Sequence, residues 1–121
     1  MSSNHNSFGE FIAQKRMQHG ITVRGMAGKL DISPGYYSDI EHSRRIPPTE
    51  NLERFIEIFH LNEEERILLL DLAGKARAEV SVDLPDYIME NDFVRVALRV
   101  AKEKASPDDW RRFIDDLERK G

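Results

Sequence analysis

Residues 22–45 read TVRGMAGKLDISPGYYSDIEHSRR, and the fold turns on this stretch. Thr22 is a good N-cap ahead of a short run in which Met26, Ala27 and Leu30 share one helical face. The run gives way to Asp31-Ile32, a tight connection that needs a residue tolerant of left-handed backbone; Asp31 is acceptable there, though poorer than glycine. Ser33-Pro34 starts a second helix, with Ser33 as cap and Pro34 in the first turn, where its missing N–H costs nothing. This helix is predicted to reach about His42. The small Ala27 belongs where the two helices cross, with Met26, Leu30, Ile32, Tyr37 and Ile40 buried around it. Beyond it, Ile46-Pro47-Pro48 reads as an extended connector, because residues before proline avoid helical backbone.

Outward from this centre, helical periodicity continues in both directions. Ser7 to His19 places Phe8, Phe11 and Ile12 on one face and stops at Gly20. After the connector, Thr49 is expected to cap a helix with Leu52, Phe55, Ile56 and Phe59 inward. Asn62 and Glu65 form a capping-box pattern, and the leucine-rich helix behind them is expected to continue to Glu79. A weak break at 80–85 precedes a segment in which Phe93, Val96, Ala97, Val100 and Ala101 follow helical spacing. Ser106-Pro107-Asp108-Asp109 opens a last helix with Trp110, Phe113, Ile114 and Leu117 inward. No strand pattern and no internal repeat stands out. The fold class is all-α, with one domain over residues 1–79 and a helical extension over 80–121.

A short helix, a tight turn and a second short helix make the layout of a helix-turn-helix, whose second helix can enter the major groove of DNA. The residues of this stretch and its flanks resemble the lambda-repressor-like, Cro/cI-type (XRE family) domain over residues 8–70. The resemblance rests on Arg16 before Gly20-Ile21-Thr22, then Met26-Ala27, Ile32-Ser33, the run Tyr36 to Glu41, and Arg44-Arg45 ahead of Pro47. It implies a five-helix DNA-binding fold. It also implies an interhelical ion pair between Arg16 and Glu41, architectural in role because a buried pair fixes geometry more reliably than it adds stability. Ser33, Pro34, Gly35, Tyr36, Ser38 and Asp39 are implied to face the groove, with His42 near the helix end. Thr22 and Arg24 would meet phosphate where helix N-terminal N–H groups also favour an anion. Arg44 and Arg45 would hold the DNA backbone by charge-assisted hydrogen bonds.

Two departures from the family pattern bear on sequence reading. Val23 stands where relatives usually carry a phosphate-bonding glutamine, and Pro34-Gly35 stand where they often carry base-reading side chains. No Arg, Gln or Asn lies between Ser33 and His42. Direct base discrimination, worth roughly 1–3 kcal/mol per bidentate pair, is therefore expected to be thin. Asp39 could accept from cytosine and Tyr36 could touch a thymine methyl; otherwise DNA shape carries part of the specificity. The bland alternatives are a core role for Tyr37, a solubilising role for Asp39, and a solvated pair at Arg44-Arg45.

Composition bounds the remaining classes. The chain has 121 residues and a formal charge of −4. Residues 1–61 balance seven basic against seven acidic side chains, so the excess acid lies wholly in residues 62–121. The absence of cysteine removes disulfide frameworks, thiol catalysis and cysteine-ligated zinc. The histidines His5, His19, His42 and His60 lack zinc-site spacing. Neither a metalloprotease motif, a phosphate-binding glycine loop nor a nucleophile elbow is present, so no enzyme activity and no cofactor are expected. With no apolar run near the roughly 20 residues of a membrane span, and no apolar signal core in MSSNHNSFGE, a cytoplasmic protein that does not engage a membrane is expected.

These readings converge on a sequence-specific DNA-binding transcriptional regulator, with repression favoured because occupying an operator needs no activating surface. The partner is double-stranded DNA. The helix at 92–104 is apolar on more than one side, through Phe93, Val96 and Val100 and again through Val94 and Leu98, so it must bury both. Residues 80–121 are accordingly expected to make a homodimer, spacing two recognition helices about 34 Å apart on a pseudopalindromic operator. Folding back onto the N-terminal domain is the alternative. A different class also fits: a protein-interaction module, such as an antitoxin, whose acidic second half neutralises a regulatory protein partner.

Overall fold

Ser7 opens the first helix of the computed structural model, which describes residues 7–121. Its Oγ accepts the Glu10 N–H at 3.1 Å, and the helix, α1, spans Phe8–Gln18. Gly20 follows at φ +66, the left-handed region where glycine is unstrained. Helices α2 (Val23–Leu30) and α3 (Pro34–Glu41) come next, then a single 3-10 turn (Thr49–Asn51), α4 (Leu52–Phe59) and α5 (Glu63–Arg77). The chain continues through α6 (Pro85–Glu90), α7 (Asp92–Lys104) and α8 (Pro107–Glu118). The described residues contain no strand, and the fold is all-α.

Local chemistry explains most of these boundaries. Thr22 and Ser33 cap α2 and α3, Asn62 and Glu65 form a reciprocal capping box on α5, and Ser106 with Asp109 does the same on α8. Three boundaries differ from the sequence expectation. Thr49 caps nothing: it begins the 3-10 turn, and α4 starts at Leu52 with no side-chain cap. Helix α5 ends at Arg77 rather than Glu79, because Ala78 turns left-handed and Glu79 N–H closes onto Gly74 O at 2.8 Å. The expected break at 80–85 ends in α6, a short helix opened by Pro85.

The chain divides into two compact units, one ending at Asp83 and the other running Leu84–Gly121. In the first, α1 to α5 enclose a single core. Phe11, Ile12, Met26, Tyr37, Ile40, Phe55 and Leu69 are fully buried there, and Phe8 meets Phe55 edge-on with ring centroids 5.5 Å apart. Ile32 and Ile56, expected inside, are only partly buried and pack on its margin. Lys15 and Glu65 form an ion pair between α1 and α5, and Arg54 Nη1 donates to Lys29 O at 2.7 Å, fastening α4 to the end of α2. Arg77 Nη1 donates to Pro47 O at 3.2 Å, which fixes the connector after α3. The segment after α5 packs back on it: Ser81 is buried and hydrogen-bonds Asp71, and a Cβ on Gly74 would come within 2.8 Å of Glu79 O.

The second unit is built differently. Helices α6, α7 and α8 contain no buried residue. Phe93, Val96, Val100, Trp110, Phe113, Ile114 and Leu117, expected to be inward, are all exposed in the single chain. Their periodicity is that of a buried face, but the 38-residue unit (Leu84 through Gly121) has no second layer to bury it against.

Candidate nucleic-acid interface

The turn between α2 and α3 is closed by backbone geometry. Asp31 adopts left-handed backbone (φ 61, ψ 43), and Ile32 N–H donates to Ala27 O at 3.0 Å, the six-to-one bond of a Schellman close. Ala27 is buried in the core. Ser33 Oγ accepts the Tyr36 N–H at 3.1 Å, so Ser33 caps the first turn of α3. Helix α3 buries Tyr37 and Ile40 and leaves Ser33, Gly35 and His42 exposed, with Pro34, Tyr36, Ser38 and Asp39 half-buried. One side of this helix is thus core and the other is free for a ligand surface.

Behind α3 lies a network that sets its position. Arg16 Nε donates to Glu41 Oε2 at 2.6 Å and Arg16 Nη2 to Glu41 Oε1 at 3.2 Å, a bidentate pair reaching from α1 to the last turn of α3. Arg16 Nη1 also donates to Ile21 O at 3.0 Å, which holds the loop ahead of α2. The Tyr37 hydroxyl donates to Glu41 as well. Burial, and then the bond to Glu41, push the Tyr37 phenol far above its ordinary value, while the bond to Glu41 raises the Arg16 guanidinium. Tyr37 therefore stays neutral as a donor, and one carboxylate gathers three donor N–H or O–H groups. The close approach of α1 depends on Gly9: a Cβ there would stand 2.2 Å from Glu41 O and 2.7 Å from Ile40 O. Sequence reasoning passed over Gly9, since nothing in the local pattern marks a glycine in a first helical turn as an interhelical contact.

The solvent side of α3 is shaped by charge. Asp39 Oδ1 accepts from Arg44 Nε at 2.9 Å, and its Oδ2 lies 3.6 Å from Arg45 Nε. The chain reverses at Ser43 (φ 61), and the Arg44 N–H donates to Asp39 O at 2.8 Å, which returns both arginines toward the helix end. The Arg45 guanidinium also stands over the Tyr36 ring, 4.8 Å from its centroid. Tyr36, Asp39, Arg44 and Arg45 thus form one cluster. His42 Nδ1 bonds Ser38 O at 2.8 Å, so the ring is held along the helix.

Thr22 and Arg24 are exposed at the start of α2, where Thr22 Oγ1 accepts the Gly25 N–H at 2.9 Å. Val23 packs partly against the core, which accounts for an apolar residue at that position. Gly35 meets nothing within 4 Å of an added Cβ, so the first turn of α3 presents an unobstructed surface. His5 lies outside the described residues. Among the described residues, no cluster of three or more His, Asp or Glu side chains could hold a metal ion, and no helix is long and apolar enough to cross a membrane.

An all-α chain with two capped helices joined by a left-handed turn, the second exposed along one side, is a helix-turn-helix protein. The family model described as "Helix-turn-helix domain" matches residues 7–69, more than half of the chain, and the chain belongs to that family. The role this family supports is DNA-binding and regulatory. No curated protein and no solved structure matches the chain.

Proposed function

We propose that this protein is a transcriptional repressor of the lambda-repressor-like type, acting in the cytoplasm as a homodimer on a pseudopalindromic operator. The observation that carries the reading is the exposed side of α3 bordered by Arg44 and Arg45, on a helix whose other side is locked to α1 through Glu41. In this reading α3 lies in the major groove, presenting Ser33, Pro34, Gly35, Tyr36, Ser38 and Asp39, with His42 at its far end. Thr22 and Arg24 meet the phosphates of one strand at the start of α2, and Arg44 and Arg45 those beyond α3. With few bidentate readers on the helix, sequence preference rests partly on DNA shape.

The pairing of Asp39 with both arginines adds a refinement. Asp39 Oδ2 stands 3.6 Å from Arg45 Nε, beyond hydrogen-bond distance, so it can accept from cytosine while Oδ1 keeps its bond from Arg44. Selection of bound sequences from a random duplex pool at near-physiological salt tests the reading, followed by a salt titration on the enriched sequence. Recovery of an inverted repeat is the expected result. Weak binding without enrichment, vanishing as salt rises, would overturn it and favour the protein-interaction module.

A further inference from the structure

The second unit has a surface that its own helices leave uncovered. It spans only residues 84–121, below the roughly 40 residues at which a domain usually needs oligomerisation or another staple to hold together. Along α7 the exposed stripe is Phe93, Val96 and Val100, and along α8 it is Trp110, Phe113, Ile114 and Leu117. Phe93 is 90% exposed, an extreme value for a phenylalanine in a helix. Between α7 and α8 lies an open cleft of about 540 Å³, floored by Ala97, Ala101 and Ala105 and walled by Val100, Trp110 and Phe113.

We infer that this face is closed by the same face of a second copy of the chain, Phe93 of each protomer seating in the partner's α7–α8 cleft. The inference deepens the homodimer part of the function proposed above and rests on it. Three arguments select a second copy. The first is shape: the molecule carries both a protruding apolar ring and an alanine-floored cleft, and two antiparallel α7 helices bring each ring to the other's cleft. Phe93 and Lys104, eleven residues apart, are separated by about 16 Å along the helix, so a two-fold axis near Leu98 superposes ring and cleft. The second is area: seven large apolar side chains at these exposures offer on the order of 700 Å² per protomer, near the ~800 Å² each partner buries in a standard interface.

The third is charge. On α7, Arg99, Lys102, Lys104 and the anionic Glu103 have no ion-pair partner among the described residues, and on α8 neither do Asp115 and Glu118. The remaining charges of α8 pair locally, Asp108 with Arg111, Asp109 with Arg112 and Asp116 with Arg119. The unmatched charge of α7 is cationic on balance and that of α8 anionic, so the two helices attract when α7 of one copy lies beside α8 of its twin.

The test uses the full chain without DNA, so it is independent of whether an operator exists. Mass is measured by sedimentation equilibrium across a dilution series from about 100 µM to 0.1 µM, with Trp110, the only tryptophan, read in parallel by its emission maximum. A doubled mass at high concentration, with Trp110 shifting to the red as the dimer dissociates, is expected. Phe93→Ser is expected to weaken the dimer at least roughly thirtyfold, as truncation of an interface hot spot does. Asp115→Lys with Glu118→Lys is expected to weaken it as well, and mixing that variant with Arg99→Glu and Lys102→Glu protein to restore a heterodimer. A monomer at 100 µM would overturn the inference. So would a dimer indifferent to Phe93→Ser, or a stable mass only when another protein copurifies.

Discussion

Asp39 and Arg44, five residues apart across the end of α3, are joined by a 2.9 Å hydrogen bond from the guanidinium to the carboxylate. The pair puts an anion on the surface proposed to meet a polyanion, and ties it to a cation proposed to hold phosphate. Arg45, over Tyr36 and 3.6 Å from the other Asp39 oxygen, is drawn into the same cluster. Asp39 therefore lowers the attraction for phosphate in general and leaves the arginines ordered at one end of the helix.

Replacing Asp39 by Asn removes that charge while keeping a hydrogen-bonding side chain. Affinity for random duplex is expected to rise by roughly threefold to tenfold, the effect of one charge near a phosphate at intermediate screening. The ratio of operator to random affinity is expected to fall. Fluorescence anisotropy on both duplexes at two salt concentrations measures it, and unchanged random binding would remove Asp39 from the interface.

Arg44→Ala combined with Arg45→Ala acts in the opposite direction. Binding should weaken on every sequence, and the slope of log affinity against log salt should become shallower by about 0.9 for each phosphate no longer neutralised. Both side chains are exposed, so the melting temperature should hold within about two degrees while affinity falls. A pure drop in sequence preference at constant salt slope would show that they touch bases.

The folding signals that sequence carried well were the local ones. Thr22, Ser33, Asn62 with Glu65, and Ser106 each bond an N–H three residues on, so position and side-chain chemistry suffice to find them. Asp31 in left-handed backbone is of the same kind. Contacts made across space escaped. Gly9 is required by carbonyls of residues 40 and 41, and the 3-10 turn at Thr49 follows a connector held by Arg77 from α5. The stripes of α7 and α8 were legible as apolar, but periodicity says only that a face is to be buried and not against which chain. In the site, the resemblance named residues of α3 that the structure leaves exposed or half-buried, whereas the coupling of Asp39 to both arginines required the chain reversal at Ser43.

Gly9→Ala tests how α3 is held. Its Cβ would fall 2.2 Å from a backbone oxygen of α3, which cannot rotate away as a side-chain tip can. A decrease of about 2–3 kcal/mol in unfolding free energy is expected from this overpacking. DNA affinity should drop further than stability alone explains, because the strain falls on the end of the recognition helix. Gly28→Ala is the internal control, since that Cβ also meets only open space and Gly28 is not among the residues proposed to face DNA. Equal behaviour of the two variants would mean that α1 does not position α3.

The acid side of the stability curve depends on Glu65. Its carboxylate accepts from Lys15 and from the Asn62 N–H at 3.0 Å, and the lysine first, then the cap, hold it below the usual carboxylate range. A depressed value in the folded state contributes stability that is fully present above the unfolded glutamate value of about 4.3, and is lost as pH falls through the folded value. The Glu65 side chain is almost a third exposed, so solvent screening limits the contribution to about 0.5–1 kcal/mol. Glu65→Gln should therefore be less stable than the parent at pH 7 and converge with it at the acid end. Urea unfolding at about pH 7, 5, 4 and 3, values that bracket the ordinary glutamate range, measures the convergence. A constant gap at every pH would mean that Glu65 acts by packing and capping alone, without a contribution from its charge.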